Sequence, residues 1–434
     1  VTDHTTVRVQ PASALEMQFW LGEQIDPASP AGWILAQVRV DGPLDLPALD
    51  AALSAVARRQ EALRTAFVFE HEQVVRKVLA EPVAEPLLRL GSGTGFEEAA
   101  ATLLNADTFD LAAGRVYRAA VAPDARGATV FLAVHHIAFD GLSQEVFAAD
   151  LARAYARAVD GVSTDLPVLE RVEAAELTPA QHAELTTHWR TVLTGAADLP
   201  TPDGSPAPNQ HELAAGGSAE LRTTYPPSTW QAVRDRARRS ACSPFAVLLA
   251  AYGRALAEIT GGSDFCVGTP VATRSAGQED ELGCLIDILP VRMPELSAPG
   301  VVERVWAAVR ESVLGSALPR YEIVRAVQTV PGGRMPVYQV LFAFENWQRV
   351  EHSAGPVRMH AVPVPPVGAV AEVQLQVCEL PDGTLKCVVQ APLTGSWPQR
   401  LPDLLRAFDS RLADIAPSAT TSATPHSFSS EAPA

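Results

Sequence analysis

Apolar positions alternate at period two in several short stretches of the chain and recur every three to four residues in the stretches between them. Trp33 to Val40 alternates as a strand does. Thr65 to Glu70 and Gln73 to Leu79 predict a hairpin. Arg115 to Ala122 and Ala128 to His135 predict another, joined across P-D-A-R-G. Ser13 to Leu21 reads as a short helix or turn anchored by Leu15, Phe19 and Trp20. A helix is expected after Pro47, with Leu49, Leu53 and Val56 on one face. Thr178-Pro179-Ala180-Gln181 is a capping-box pattern that opens a helix to about Leu193. Ser228-Thr229-Trp230-Gln231 repeats it ahead of an Arg-rich helix ending at Arg239. Ser243-Pro244 starts a buried helix, Phe245 to Ile259, and Asp264 to Val271 reads as a strand into a turn.

No strand is predicted between Gly161 and the second half. Gly195 to Ala215 is rich in Pro, Gly, Asp and Asn and reads as a surface connection, which puts a domain boundary between 165 and 215. Strand-and-helix alternation on both sides predicts an α/β or α+β protein of two similar lobes. The length of 434 residues suits two domains. The tail from Ala416 has few bulky apolar residues and is expected to be disordered.

Charge narrows the partners. The formal net charge is −16, from 50 acidic and 34 basic residues, which argues against nucleic acid or an anionic membrane as the main partner. There is no apolar run long enough for a membrane span, and the N-terminus is polar, without a signal-peptide pattern. The five cysteines lie in the second half without a C-x-x-C pair, so reduced, buried thiols in a cytoplasmic protein are expected.

The densest chemistry is Ala133 to Ser143, A-V-H-H-I-A-F-D-G-L-S. Adjacent residues on a strand face opposite ways, so His136 shares the face of Val134 and Leu132 while His135 faces the other. Asp140 and Gly141 form a turn, and an amphipathic helix starts near Ser143. An imidazole titrates near neutrality and can take a proton from an attacking amine or hydroxyl, and the carboxylate can fix the turn. The competing reading is a pair of satisfied core histidines. A metal site is not expected, because no third or fourth ligand stands at a supporting spacing. Arg58 to Phe67, R-R-Q-E-A-L-R-T-A-F, is either a solvated helix end or a place where Arg64 turns inward.

H-H-I-A-F-D-G resembles the active-site motif of nonribosomal peptide synthetase condensation domains, within the chloramphenicol-acetyltransferase-like superfamily. Further motifs recur in order. R-R-Q-E-A-L-R-T-A-F is similar to R-H-E-x-L-R-T-x-F, and Asp264 to Arg274 to I-G-T-P-V-A-x-R. Gly283 to Arg292 is similar to G-x-F-V-N-T-L-P-L-R, and Pro336 to Asn346 to P-L-F-Q-V-x-F-x-x-x-N. The resemblance spans about residues 8 to 415. Departures are Gln60 for the His of the second motif, Leu142 for a frequent Trp, and Asp287 for the Asn of G-x-F-V-N. The heterocyclisation variant of the motif is absent.

The resemblance implies two acetyltransferase-like lobes, 1–177 and 178–415, in a V-shaped pseudo-dimer with the motif at their junction, and a disordered tail, 416–434. A tunnel would admit the phosphopantetheine arm of a carrier protein from one face and the acceptor from the other, with no bound cofactor. The implied catalytic group is His136, with His135, Asp140 and Gly141. His136 would deprotonate the acceptor, the Gly141 N–H would meet the oxyanion, and Asp140 would pair with Arg64. Arg274 and Asn346 would shape the tunnel. Arg234, Arg236, Arg238 and Arg239 are the densest basic face for an acidic carrier, or an ordinary solvated helix face. The expected activity is that of a free-standing condensation enzyme. It would join a carrier-bound (amino)acyl group to an amine or hydroxyl in trans, with enediyne pathways as one setting. Two alternatives are an acyl-CoA-dependent acyltransferase and a non-catalytic docking module.

Overall fold

Apolar alternation becomes sheet structure nearly where the pattern places it. The computed structural model describes residues 5–27, 32–105, 108–169, 171–172, 177–209, 212–213, 217–293, 295–327, 333–346, 349–363, 369–417 and 426–431. In chain order the elements are β1 (Thr6–Pro11), α1 (Ala14–Ile25), β2 (Trp33–Asp41), α2 (Leu46–Arg59), β3 (Thr65–Glu70), β4 (Gln73–Leu79), β5 (Leu88–Arg89) and α3 (Phe96–Leu103). Next come β6 (Tyr117–Asp124), β7 (Gly127–His135), α4 (Ser143–Val159), α5 (Pro179–Leu193), β8 (Ser218–Tyr225), α6 (Pro227–Arg239), α7 (Pro244–Thr260) and β9 (Cys266–Ala272). The order continues through β10 (Ile286–Arg292), α8 (Val301–Leu314), α9 (Arg320–Val327), β11 (Val340–Glu345), β12 (His352–Ala354) and β13 (Val357–Val362). Last are β14 (Val373–Glu379), β15 (Leu385–Pro392), α10 (Leu401–Ile415) and β16 (His426–Glu431).

Two compact α/β units result. The first holds Val1–Ala174 and two later returns of the chain, Thr273–Ile286 and Gln348–Val367; the second holds the remainder. The single expected boundary at 177 is therefore corrected. β13 pairs antiparallel with β2, Ala361 opposite Val38, and so joins a sheet begun some three hundred residues earlier. No local pattern shows which sheet a late strand will join.

In the first unit β7 is central to a sheet ordered β12-β13-β2-β7-β6-β5, beside a small sheet β1-β4-β3. Val130, Leu132 and Val134 of β7 pack with Leu49, Leu53 and Val56 of α2 and Leu151 and Tyr155 of α4. Phe131 and Ala133 turn to the opposite face, against Leu35, Leu103 and Phe109. Both faces of β7 are thus buried, which fixes its register, because a slip by one residue would exchange the two sets. The β6–β7 turn adds to this: Asp124 Oδ1 accepts the N–H groups of Arg126 (2.8 Å) and Gly127 (3.1 Å). Gly127 has φ +156°, and a Cβ there would lie 2.1 Å from the Val40 carbonyl oxygen, so only glycine fits.

The second unit has a mixed sheet ordered β10-β9-β11-β14-β15-β8-β16. α7 buries Val247 to Tyr252 against Val340, Phe342 and Leu375. Trp189 of α5 packs among Cys266, Leu318 and Tyr338, its indole N–H donating to the Gly315 carbonyl at 2.9 Å. The capping box expected at Thr178 and Gln181 forms. The one expected at Ser228 does not, because the helix starts at Pro227 with Pro226 as its cap. The tail expectation is also corrected within the described residues. His426–Glu431 adds an antiparallel edge strand to β8, a pairing of backbone groups to which composition is blind.

Candidate active site

The paired histidines stand where a central strand ends. His135 is the last residue of β7, opposite Trp33 of β2, with its N–H donating to the Val116 carbonyl at 2.8 Å. A single 3₁₀ turn, His136–Ala138, follows. His135 Nδ1 accepts the Ile137 N–H at 3.1 Å and so caps that turn. With Nδ1 an acceptor, the proton of the neutral ring is on Nε2, 3.3 Å from Glu23 Oε2 on α1. Phe109 meets the ring edge-on at 5.5 Å, and the side chain is fully buried. Both nitrogens are engaged, so His135, expected among the catalytic residues, holds the turn rather than a substrate proton.

His136 differs in every respect. Its ring is half-buried and lies flat on Phe19, centroids 4.7 Å apart and planes 21° from parallel. Nδ1 is 3.5 Å from the Cys284 sulphur. Burial pulls its pKa below the ordinary imidazole value. The carbonyls of His136 and Phe139 and the charge of Asp140 oppose that pull, and His135 adds to it. Burial thus favours the neutral form of the ring, which has a lone pair to offer.

Asp140 is fully buried and fully used. Oδ1 accepts from the Ser143 N–H (2.8 Å), the Ser143 hydroxyl (2.8 Å) and Arg274 Nη2 (2.7 Å). Oδ2 accepts the Leu285 N–H at 2.9 Å. Arg274 also donates Nη1 to the carbonyls of Glu281 (2.6 Å) and Gln278 (3.2 Å). The expected Asp140–Arg64 pair is thus corrected. Arg64 is turned inward as expected, but it donates to the carbonyls of Leu79 (2.6 Å) and Arg58 (3.1 Å). Both arginines sit near a strand or turn boundary, and only the return of residues 273–286 to the first unit selects Arg274.

Gly141 follows Asp140 directly, and none of the described residues accepts its N–H. Gln60, which replaces a histidine of the resembling motif, ties the end of α2 to the returning segment. Its Nε2 donates to Asp150 (2.7 Å) and the Asp280 carbonyl (2.9 Å), and its Oε1 accepts the Leu282 N–H (2.9 Å). Asp287 accepts the N–H groups of Ile288 (2.7 Å) and Arg320 (2.8 Å) within the second unit. Asn346 stands exposed just beyond β11. On α6, Arg236 pairs with Glu303 at 3.2 Å, Arg238 pairs with Asp235, and Arg234 lies over Trp230. Of the basic face expected there, Arg236 and Arg238 are thus paired with carboxylates, while Arg234 and the exposed Arg239 form no ion pair among the described residues. Sequence reasoning missed Cys284 and Glu23 as neighbours of the motif, and named Ser143 only as the start of a helix and not as a partner of Asp140. Phe19 enters that reasoning only as an apolar anchor.

The comparisons agree with this architecture. The condensation-domain family matches residues 9–387. Phosphinothricin tripeptide synthetase PhsC of Streptomyces viridochromogenes is 30% identical over 359 residues, 77% of this chain and 32% of that protein. The malpinin synthetase of Mortierella alpina is 28% identical over 367 residues, 77% of this chain and 4% of that protein. The chain thus spans about a third of the first synthetase and a small part of the second. Among solved structures, the condensation domain from the monacolin K polyketide synthase MokA superposes with a TM-score of 0.77 at 19% identity, covering 96% of this chain and 99% of that one. The starter condensation domain of rhizomide synthetase RzmA, a mutant in complex with C8-CoA, gives 0.75 at 19% identity, covering 95% and 96%. With its fold and nearly its whole length matched, the chain belongs to the condensation-domain family, whose members are amide-forming acyltransferases.

Proposed function

We propose that this chain transfers an (amino)acyl group from the phosphopantetheine arm of a carrier protein to the amine or hydroxyl of an acceptor. The observation that carries the reading is His136, half-buried with its ring held flat on Phe19, while His135 and Asp140 are spent on structure. The acceptor nitrogen or oxygen attacks the thioester carbonyl as His136 takes its proton. The tetrahedral oxyanion is met by a backbone N–H, for which Gly141 is suited by its position and lack of a side chain. Collapse breaks the carbon–sulphur bond and the departing thiolate recovers a proton from the imidazolium. Holding both reactants in line supplies much of the acceleration, up to roughly 7–11 kcal/mol in favourable systems.

Incubating an acylated carrier with the protein and candidate acceptors, followed by intact-mass analysis, tests the reading. Loss of the acyl mass from the carrier with a matching product supports it. An acyl-carrier that stays loaded beside every acceptor, or a His136→Ala variant with unchanged turnover, overturns it in favour of a non-catalytic docking module. A second reading, acyl transfer from a soluble acyl-CoA, is favoured by the C8-CoA complex of the RzmA domain. Parallel assays with the same acyl group on CoA and on the carrier decide between the two donors.

A further inference from the structure

Cys284 has no part in the chemistry above, yet its sulphur lies 3.5 Å from His136 Nδ1. Its neighbours in the chain leave it little choice. The Leu282 N–H donates to Gln60 Oε1 at 2.9 Å, and the Leu285 N–H to Asp140 Oδ2 at 2.9 Å. Ser143 Oγ is 3.3 Å from the Gly283 nitrogen and 3.2 Å from its carbonyl oxygen. Gly283 and Leu285 are therefore bound to the Asp140 turn, and Leu282 to the end of α2. Cys284, buried, directs its thiol at the imidazole edge, while Phe19 covers a ring face.

We propose that Cys284 is a positioning residue for His136: its sulphur accepts the Nδ1 proton and so selects the tautomer whose Nε2 lone pair is open to the acceptor. This inference rests on the reading of His136 as the base. A thiol donating to Nδ1 would do the opposite, forcing the proton onto Nε2 and removing the lone pair. Among the described residues, three titratable groups face the ring. His135 adjoins it from β7 and is itself held by Glu23 of α1. Asp140 adjoins it from the turn and is paired with Arg274, and Cys284 approaches from the returning segment. Phe19 brings no charge.

The test uses the whole chain labelled with ¹⁵N in its imidazoles and needs no substrate. The His136 resonances are assigned by their loss in His136→Asn. In the wild type the neutral ring is expected to carry its proton on Nδ1. Cys284→Ser, which keeps an acceptor, preserves that tautomer and the titration midpoint. Cys284→Val removes the acceptor without admitting water and disfavours the imidazolium, so the midpoint falls by about half a pH unit, roughly threefold in proton affinity. Cys284→Ala carries the same expectation where the branched side chain unfolds the segment. A wild-type ring protonated on Nε2, or apolar variants whose titration superimposes on the wild type, overturns the proposal. Because turnover is not read, its failure is distinct from failure of the base assignment, which unchanged turnover in His136→Ala would reveal.

Discussion

Asp140 and Arg274 form an ion pair, Oδ1 to Nη2 at 2.7 Å, in which the carboxylate is fully buried and the guanidinium nearly so. The pair joins the turn after the paired histidines to the segment that carries Cys284. Four hydrogen bonds reach the carboxylate, so its role is to fix geometry, and its charge is answered in place.

Removing one partner leaves the other charge buried and unanswered, a loss of about 3–5 kcal/mol. Asp140→Ala and Arg274→Met are each expected to fall in that range by chemical denaturation. Their double mutant should lose clearly less than the sum. Arg64 donates to two carbonyls and not to Asp140, so Arg64→Met should add independently to Asp140→Ala. Coupling of Asp140 to Arg64 and not to Arg274 would contradict the arrangement described.

The two histidines should separate in their effects. His136→Ala is expected to lower kcat by about 10²–10⁴-fold with little change in Tm, because the half-buried ring contributes proton transfer. His135→Ala strips the cap from the 3₁₀ turn and leaves Glu23 without its ring partner, for a stability loss of about 1–3 kcal/mol. Paired melts and rate measurements on the two variants read both outcomes.

The depressed pKa of His136 has a definite sign. A base acts unprotonated, so kcat/KM rises with pH, and its acid limb should have a midpoint below the roughly 6.5 of free imidazole. The unfolded chain takes up this proton at a higher pH than the folded one. The ring's contribution to stability is therefore complete above about pH 6.5 and is lost as pH falls from there through the folded midpoint. Unfolding free energies measured from about pH 5 to about pH 8 should show this slope in the wild type and a shallower one in His136→Asn.

Gln60 predicts a local effect. Gln60→Ala removes three hydrogen bonds between the end of α2, Asp150 and the returning segment. A loss of about 1–3 kcal/mol is expected. Amide hydrogen exchange should quicken first at Leu282 and its neighbours, with β7 still protected. Uniform loss of protection would show that the side chain supports the whole core instead.

How much of this was legible in the sequence depends on the range of the interaction. Hairpins β3–β4 and β6–β7 and the caps of α5 and α7 follow from residues close in the chain. The expected alternation of His135 and His136 along one strand is corrected, because β7 ends at His135 and His136 opens the 3₁₀ turn. The sequence alone therefore determined the elements and the motif. Which histidine keeps a nitrogen for substrate was decided elsewhere, by Glu23 and Phe19 from α1 and by Ile137 closing the turn. Which arginine meets Asp140, and the presence of Cys284 beside His136, depended on a segment more than a hundred residues away returning to the first unit. A periodic pattern records which face a side chain takes, whereas the partner it meets there is set by how distant stretches pack, and only the tertiary structure holds that information.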